Sequence, residues 1–295
     1  MQGPVDCGSI RVPVQPVTPL QRWQIVKEKP ALPRIAASSY LNTAPLIWSF
    51  LHGSNRGAVD LLTDEAPARC ADMLARGEVE AALVPVIEYQ RIPDVSIVSD
   101  VCVGSHSAVR SVVLASKTND LKQIRRAALD DSSRTSVALV RIIFREFLGF
   151  EPDWQVMQPD LAAMLEENDA ALVIGDPAMK IRRTELAIFD LATLWHQHTR
   201  LGFVFAMWMV RERARDQVRA IDFSAARDEG LAQLDQIVTE YQARLGISRT
   251  ELQSYLTKNI SFQLNDELVA GLELFFTLAG KHKLTDQKRD LKMVR

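Results

Sequence analysis

Short apolar runs alternate with amphipathic segments along most of the chain. Residues 34–38, 81–86 and 170–174 are mostly apolar stretches, the type of sequence found in parallel strands buried on both faces. Residues 66–76 instead place apolar side chains at helical spacing and stop at Gly77, a residue suited to the end of a helix. This alternation predicts an α/β protein with parallel strands joined by right-handed crossovers.

The same pattern continues through the middle of the chain and then changes. Residues 59–62, 111–115 and 127–129 are further candidate strands, and apolar residues recur at helical spacing over 137–148. From about residue 212 to Phe276, charged faces and apolar stripes predict only helices.

Two strand-like stretches decide the domain organisation. The chain has 295 residues, enough for about two domains of ordinary size. If residues 102–114 and 203–210 both cross between lobes, the chain leaves lobe 1, builds lobe 2 and returns. This topology is that of a bilobal binding protein with a central cleft, with lobe 1 made of 34–108 and 206–295 and lobe 2 of 109–205. A single large doubly wound sheet is the alternative.

Composition excludes several classes of protein. Lys and Arg total 35 against 37 Asp and Glu, a formal net charge of −2, so no basic excess favours nucleic acid as a partner. The longest apolar runs are too short to span a membrane. Residues 1–33 are rich in proline and lack the apolar stretch of a secretory signal, so we expect a poorly ordered leader or a surface strap.

Cysteine and histidine usage points away from a metal site. Cys7, Cys70 and Cys102 form no CxxC pair and leave an odd thiol, which favours neither zinc nor a disulfide framework and suggests the cytoplasm. His196 and His198 have no acidic or thiol partner at ligand spacing, so the end of a surface helix explains them better. We expect no metal.

Four loops follow predicted strands at the edge where α/β sheets bind ligands: Ser39–Thr43, Pro85–Tyr89, Asp130–Ser136 and Gly175–Pro177. The third is the most informative, because hydroxyls at a helix start cap free N–H groups that also attract anions. Arg134 adds a donor fork suited to a carboxylate. The alternative is a well-capped helix with an exposed arginine.

Three polar residues of these loops have open roles. Asn42 either caps the helix that Pro45 begins or holds a substrate oxygen, and an amide cannot act as a base near neutral pH. Glu88 is either a base or a charge at a helix start. Asp176 either faces the cleft or belongs to an ordinary Asp-Pro turn.

Taken together, these segments resemble the chorismate dehydratase family of the futalosine route to menaquinone. The matching stretches run in the family's order: Ser39–Thr43 with Pro45-Leu46, Arg76–Pro85 with Glu88-Tyr89, Ser133–Ser136, Pro159–Leu161, Ile174–Ala178, and Phe203–Ala206 with Trp208. They extend over nearly all of the chain from Arg34 to Phe276. Two departures are the leader, residues 1–33, and Ser105–Ala108, which lacks a glycine often found at that turn.

The resemblance implies a type II periplasmic-binding-protein-like fold and removal of water from chorismate to give 3-[(1-carboxyvinyl)oxy]benzoate, without a cofactor. The matching asparagine, Asn42, is regarded in the family as catalytically important. The remaining candidates are substrate-binding residues: Ser39, Tyr40, Thr43, Glu88, Ser105, Ser133, Arg134, Thr135, Ser136 and Asp176. No protein base stands out, so we hypothesise that the substrate's enolpyruvyl carboxylate takes the proton.

Two other functions compete with this one. The related 1,4-dihydroxy-6-naphthoate synthase typically carries Cys-Pro-Asn-Asp in its first loop, where this chain has Tyr40–Thr43. A non-catalytic cytoplasmic carboxylate-binding protein or sensor is the other alternative, because this type of fold mostly serves binding. The expected partner is a small molecule, with no nucleic acid and no membrane, and the oligomeric state is left open.

Overall fold

The computed structural model describes Gly3 and residues 31–181, 185–286 and 289–294. The prediction for residues 1–33 therefore lies almost entirely outside the described residues. The strands of the described chain are β1 (Arg34–Ser38), β2 (Asp60–Asp64), β3 (Ala81–Pro85), β4 (Val95–Ser105), β5 (Val112–Ser116), β6 (Arg126–Asp130), β7 (Asp153–Met157), β8 (Ala170–Ile174), β9 (Ala187–Asp190), β10 (Phe203–Arg211) and β11 (Met293–Val294).

The helices of the described residues are 4 to 16 residues long, and the longest is the last, α11. They are α1 (Ala44–Leu51), α2 (Pro67–Arg76), α3 (Arg134–Ile142), α4 (Leu161–Glu167), α5 (Gly175–Met179), α6 (Leu191–Thr199), α7 (Arg215–Val218), α8 (Phe223–Ala232), α9 (Leu234–Leu245), α10 (Arg249–Ser254) and α11 (Asp266–Lys281). A 3₁₀ turn, Val86–Gln90, follows β3, and a π-helical turn, Ile143–Leu148, continues α3.

The strands form two sheets, which have the same strand order when β11 is set aside and one sheet is read from its opposite end. The first has the order β11-β4-β10-β3-β1-β2 and the second β7-β6-β8-β5-β9. In each sheet, one strand comes directly after strands of the other sheet along the chain. These strands are β10 in the first sheet and β5 in the second, and each runs antiparallel to both of its neighbours. The prediction of a type II periplasmic-binding-protein-like fold is confirmed, and the single-sheet alternative is wrong.

We call the first sheet with its helices lobe 1 and the second lobe 2. Lobe 1 takes strands from 34–105 and 203–294, and lobe 2 takes them from 112–190. This membership supports the lobe boundaries proposed from the sequence, which remain a proposal.

The apolar strands form the centre of each lobe because both of their faces are covered. All five residues of β3 and of β8 are buried, and Ile35 of β1 lies opposite Ala81 of β3. Large aromatic side chains fill the remaining space: Trp208 in β10 and Trp195 in α6 have no exposed surface. Burial on both faces explains why these strands carry no polar alternation.

The passage from lobe 1 to lobe 2 is fixed by charged side chains. Between β4 and β5, Arg110 adopts a left-handed conformation with φ of 63°. Its N–H donates to Asp190 Oδ2 at 2.6 Å, and its guanidinium pairs with Glu251 at 2.5 Å. This connection has a defined backbone path, so we expect it to set how the lobes meet.

Some elements were not predicted from the sequence. Residues 85–89 were expected as a loop, but most of them belong to the buried 3₁₀ turn Val86–Gln90, and residues 175–177 begin the short helix α5. The edge strand of lobe 2, β7, is mostly exposed and has no continuous apolar run from which it could be predicted. Strand β11 lies beyond Phe276, in a charged tail for which no element was predicted.

None of the helices in the described residues combines the length and the apolar character needed to cross a bilayer.

Close backbone packing between α1 and α8 gives a prediction for stability. A Cβ on Gly230 would lie 1.9 Å from the carbonyl oxygen of Pro45, whereas a Cβ on Gly280 of α11 would meet nothing within 4 Å. We expect Gly230→Ala to lower the free energy of unfolding by about 3 kcal/mol, the upper end of overpacking costs. The matched control Gly280→Ala should raise it by about 0.5–1 kcal/mol. Urea denaturation measures both, and equal effects would contradict this packing.

Candidate functional site

A cavity lies between the lobes at the carboxyl ends of β1, β3 and β8. Six of the residues predicted from the sequence line it: Tyr40, Asn42, Thr43, Ser133, Thr135 and Ser136. The loops after strands of both sheets therefore meet as expected for this fold.

The Tyr40–Thr43 loop is held in place mainly by its own backbone. The Thr43 N–H donates to the Tyr40 carbonyl at 3.0 Å, and the Thr43 hydroxyl donates to the carbonyls of Ser38 and Tyr40. Leu41 is fully buried and anchors the loop in lobe 1. The side chain of Asn42 remains at the cavity, and its buried Oδ1 has no partner in the described chain. Such an acceptor is suited to a donor on a ligand.

The start of α3 contributes the anion-binding part of the cavity. The Ser133 side chain makes no cap hydrogen bond, and the backbone N–H groups of Arg134, Thr135 and Ser136 have no acceptor within the described residues. The Thr135 hydroxyl accepts the N–H of Ile87 from lobe 1 at 3.2 Å. Free N–H groups at the positive end of a helix favour a bound carboxylate or phosphate.

Arg134 does not line the cavity, contrary to its expected role as a carboxylate fork. Its guanidinium lies 2.7 Å from Asp72 Oδ1 and 3.0 Å from Glu88 Oε2, both in lobe 1. The physical reason is the burial of Glu88, whose side chain is only 4% exposed and needs a cationic partner. Arg134 therefore joins the lobes beside the cavity.

Glu88 and Ser105 also lie outside the cavity lining. Glu88 is in the 3₁₀ turn and is held between Arg134 and Arg91, at 3.0 Å from each guanidinium. Ser105 is buried at the end of β4, opposite Phe203 of β10. Neither side chain faces the space that a ligand would fill, so their roles as substrate-binding residues stay predictions that the geometry does not favour.

Ser39 and Asp176 occupy the edge of the site. The Ser39 carbonyl accepts hydrogen bonds from the Tyr241 hydroxyl at 2.9 Å and from Arg244 at 3.2 Å. Asp176 Oδ1 accepts the Leu41 N–H at 2.9 Å, a buried hydrogen bond from lobe 1 to lobe 2. Both residues thus support the Tyr40–Thr43 loop from outside the cavity.

Outside this cavity lies a wider chamber of about 1400 Å³, open to solvent. Tyr40 lines both spaces and its ring packs against Gly175, whose φ of 65° and lack of a Cβ make room for it. Lys180 and Arg244 lie in this outer chamber. A ligand entering from solvent would pass these cations and then Tyr40.

Burial controls the protonation of the groups around Tyr40. Burial, with the nearby Asp130 carboxylate, raises the pKa of Tyr40 to about 12, so the phenol keeps its proton at neutral pH. Burial likewise raises the pKa of Asp130 and of Asp176, each of which has an Oδ2 without a partner in the part of the chain described. A protonated Asp176 would turn that orphaned oxygen into a donor.

The apolar residues of the site and a pair that joins the lobes were not predicted from the sequence. The lining includes Leu83, Val103 and Phe205, which read as ordinary core residues in the sequence. Buried Tyr255, from the helical part of the chain, donates its hydroxyl to Ser111 Oγ at 2.7 Å between the lobes. No signal in the sequence marks this pair.

The lining described here contains no charged side chain. An anion in the cavity would therefore be held by N–H groups, hydroxyls and an amide. Among the described residues no group of three His, Cys, Asp or Glu side chains is placed to bind a metal. His196 and His198 belong to α6, as expected, and His198 stacks on Phe147.

Solved structures agree with this architecture. The chain matches a protein of Archaeoglobus fulgidus with a TM-score of 0.68 and 15% identity, over 85% of this chain and 98% of that one. It matches the periplasmic aliphatic sulphonate binding protein of Escherichia coli with a TM-score of 0.61 and 15% identity, over 89% and 96%. At these identities the likeness concerns the fold alone. Fold and cavity define a bilobal protein of the periplasmic-binding-protein class.

The chain belongs to the menaquinone biosynthesis family, whose model matches residues 33–281. A chorismate dehydratase of Thermus thermophilus is 32% identical to it over 260 residues, which cover 82% of this chain and 93% of that protein. The family resemblance inferred from the sequence is confirmed.

The raised pKa of Asp176 predicts a pH-dependent stability. Because the folded state favours the protonated form, this group's contribution is complete below the unfolded pKa near 3.8 and is lost as pH rises through the folded pKa. Asn cannot titrate, so the Tm of Asp176→Asn should gain on that of the wild type as pH rises from about 3.8 toward neutrality. Thermal unfolding across this range measures the difference. A flat difference between Asp176→Asn and the wild type across this range would contradict the prediction.

Proposed function

We propose that this chain is a chorismate dehydratase, a hydro-lyase that converts chorismate to 3-[(1-carboxyvinyl)oxy]benzoate and water in menaquinone biosynthesis. Membership of the menaquinone biosynthesis family and the relative named chorismate dehydratase support the reaction. The observation that carries the proposal is the cavity itself, where free N–H groups at the start of α3 face an asparagine whose oxygen lacks a partner.

The cavity fits the charge of chorismate. The substrate carries one carboxylate on the ring and one on its enolpyruvyl ether, and it is otherwise a small, largely apolar ring. The N–H groups of Arg134–Ser136 and the hydroxyls of Ser133, Thr135 and Ser136 offer donors to a carboxylate. Leu83, Val103 and Phe205 provide apolar surface for the ring. Dipoles fixed in advance stabilise charge well in such a water-poor site.

The reaction depends more on correct positioning of the substrate than on a strong acid or base of the protein. The C3–H bond breaks and its electron pair enters the ring, conjugated with the C1 carboxylate. The C4–O bond then breaks, and hydroxide leaves and takes up a proton as water. The ring becomes aromatic, which drives the step without a redox change. Binding donors near the C1 carboxylate would stabilise the charge that develops there.

The proton from C3 needs an acceptor. The described cavity lining has no carboxylate, imidazole or amine, and the Tyr40 phenol with a pKa of about 12 is a donor at neutral pH. Asp130 and Asp176 lie outside the lining, so neither carboxylate is placed among the residues that would surround the substrate. We infer that the enolpyruvyl carboxylate of the substrate takes the C3 proton, while Asn42 orients the reacting groups.

The residues divide into two groups under this proposal. Asn42 contacts the reacting part of the substrate, and Tyr40, Thr43, Ser133, Thr135 and Ser136 bind it. Ser39, Glu88, Arg134 and Asp176 hold these residues in place from outside the cavity.

The chain's thiols support a reducing compartment, and we place the reaction in the cytoplasm. Cys70 and Cys102 are free and buried, and burial raises the pKa of each thiol to about 12, which makes both unreactive.

Incubation of the purified protein with chorismate, followed by chromatography and mass analysis, tests the function. We expect a product one water lighter with an aromatic spectrum. Asn42→Ala should slow its formation by about 10²-fold or more, as for loss of one polar group that stabilises a transition state. The control Asn55→Ala removes an amide that donates to Ser49 Oγ away from the cavity, and it should leave the rate unchanged.

Three outcomes would contradict the proposal in different ways. Unchanged chorismate with a folded wild-type protein that binds it would favour a binding protein or sensor. Unchanged chorismate without binding would favour another enzyme of the family. If Glu88→Gln abolished turnover without weakening binding or folding, Glu88 would be the base and the substrate carboxylate would not.

A further inference from the structure

The last described residues of the chain, 289–294, run along the edge of lobe 1, beyond residue 281 where the family match ends. We call them the C-terminal strap. Strand β11 in this strap pairs parallel to β4, with Met293 opposite Ile97 and Val294 opposite Val98. The strap therefore covers an edge strand that would otherwise present free backbone groups.

Arg289 is the main anchor of the strap. Its guanidinium donates to the carbonyls of Tyr89, Ile92 and Val95, at 2.9, 2.6 and 2.9 Å. The same guanidinium lies over the Tyr89 ring, 4.4 Å from its centroid. One side chain thus fixes one carbonyl of the 3₁₀ turn Val86–Gln90 and two carbonyls that follow it, an arrangement suited to the planar fork of arginine.

The backbone of the strap binds the same turn. Gln90 donates its amide to the Arg289 carbonyl at 3.0 Å and accepts the Arg289 N–H at 2.5 Å. The Tyr89 hydroxyl donates to the Asp290 carbonyl at 2.6 Å and accepts the Lys292 N–H at 2.8 Å. The last two residues of the turn are therefore held by side-chain and backbone groups together.

The first residues of that turn face the cavity side of the molecule. Ile87 donates its N–H to Thr135 Oγ1, and Glu88 forms its ion pair with Arg134. Both contacts reach the start of α3 in lobe 2, where the free N–H groups lie. A continuous set of contacts therefore runs from Arg289 through the turn to the carboxylate-binding end of α3.

We propose that Arg289 is a positioning residue for the reaction proposed above, acting through the Val86–Gln90 turn and Glu88 to hold the start of α3. This inference rests on the proposed function for its kinetic consequence. Without the guanidinium the turn would lose its fixed position, and Glu88 would hold Arg134 less firmly. Substrate binding would weaken, while the chemical step, which depends on Asn42, would keep its rate.

The kinetics of three variants test this role. Arg289→Ala should raise KM for chorismate about fivefold or more and change kcat less than about twofold. Lys292→Ala is the matched control: it removes an exposed ion pair with Glu212 from the same strap, and its KM should stay at the wild-type value. In a Glu88→Gln background, Arg289→Ala should change KM less than it does in the wild-type background, although it should still lower the Tm. Additive effects on KM, or a fall in Tm with wild-type KM, would overturn the proposal.

Hydrogen exchange gives a readout that needs no substrate. In Arg289→Ala we expect faster exchange both in the turn, at the Ile87 amide, and at the start of α3, at the Val137 amide that donates to Ser133. Faster exchange in the turn alone would overturn the proposal, because the coupling would then end in lobe 1. If the wild-type protein fails to dehydrate chorismate, the proposed function fails by itself and the exchange result still decides the role of the strap.

Discussion

Three backbone N–H groups at the start of α3, those of Arg134, Thr135 and Ser136, have no acceptor in the described chain although they lie beside buried side chains. A helix end in this state is costly unless water or a ligand completes it. The loop from Asp130 to Ser133 cannot satisfy these groups because Ser133 makes no side-chain cap. The other features of the site can be understood as arrangements around this unsatisfied end.

Lobe 1 approaches this end without neutralising it. The Thr135 hydroxyl is occupied by the Ile87 N–H, and Arg134 is drawn to Glu88 and Asp72. The guanidinium that could compete with the N–H groups for a carboxylate is thus used to hold the lobes. A cavity lined by neutral donors results, in which dipoles would bind a dianion and no strong ion pair would have to break for its release. Weak binding of this kind is compatible with product release.

Some parts of the fold and of the site could be predicted from the sequence and others could not, depending on whether burial leaves a pattern in the local sequence. The strands β1, β3 and β8 were predicted because burial on both faces leaves an unmistakable apolar run. The loops that follow strands placed Asn42, Ser133, Thr135 and Ser136 at one edge of the sheets, and all four line the cavity, since strand ends in a parallel sheet share one edge. Strand β7 and the strap strand β11 were missed because their residues are exposed or only partly buried and are set by pairing.

The ion pairs of Arg134 could not be predicted from the sequence, for a physical reason. A sequence shows that a guanidinium stands at a helix start, but it does not show that a buried carboxylate 46 residues earlier lies 3.0 Å from it. The same holds for Tyr255 with Ser111 and for Arg289 with the turn after β3, which are contacts across 144 and about 200 residues. Side-chain partners over such separations are decided by the packing of the lobes, and no local pattern records them.

Amide chemical shifts of the start of α3 test the central claim most directly. Chorismate would be added to isotope-labelled Asn42→Ala protein, in which the substrate should persist, and the amide signals followed by nuclear magnetic resonance. The account predicts that the amide protons of Arg134, Thr135 and Ser136 move downfield at saturation, as expected for new hydrogen bonds to a carboxylate. Unchanged signals there, with shifts confined to residues of the outer chamber such as Lys180 and Arg244, would contradict it.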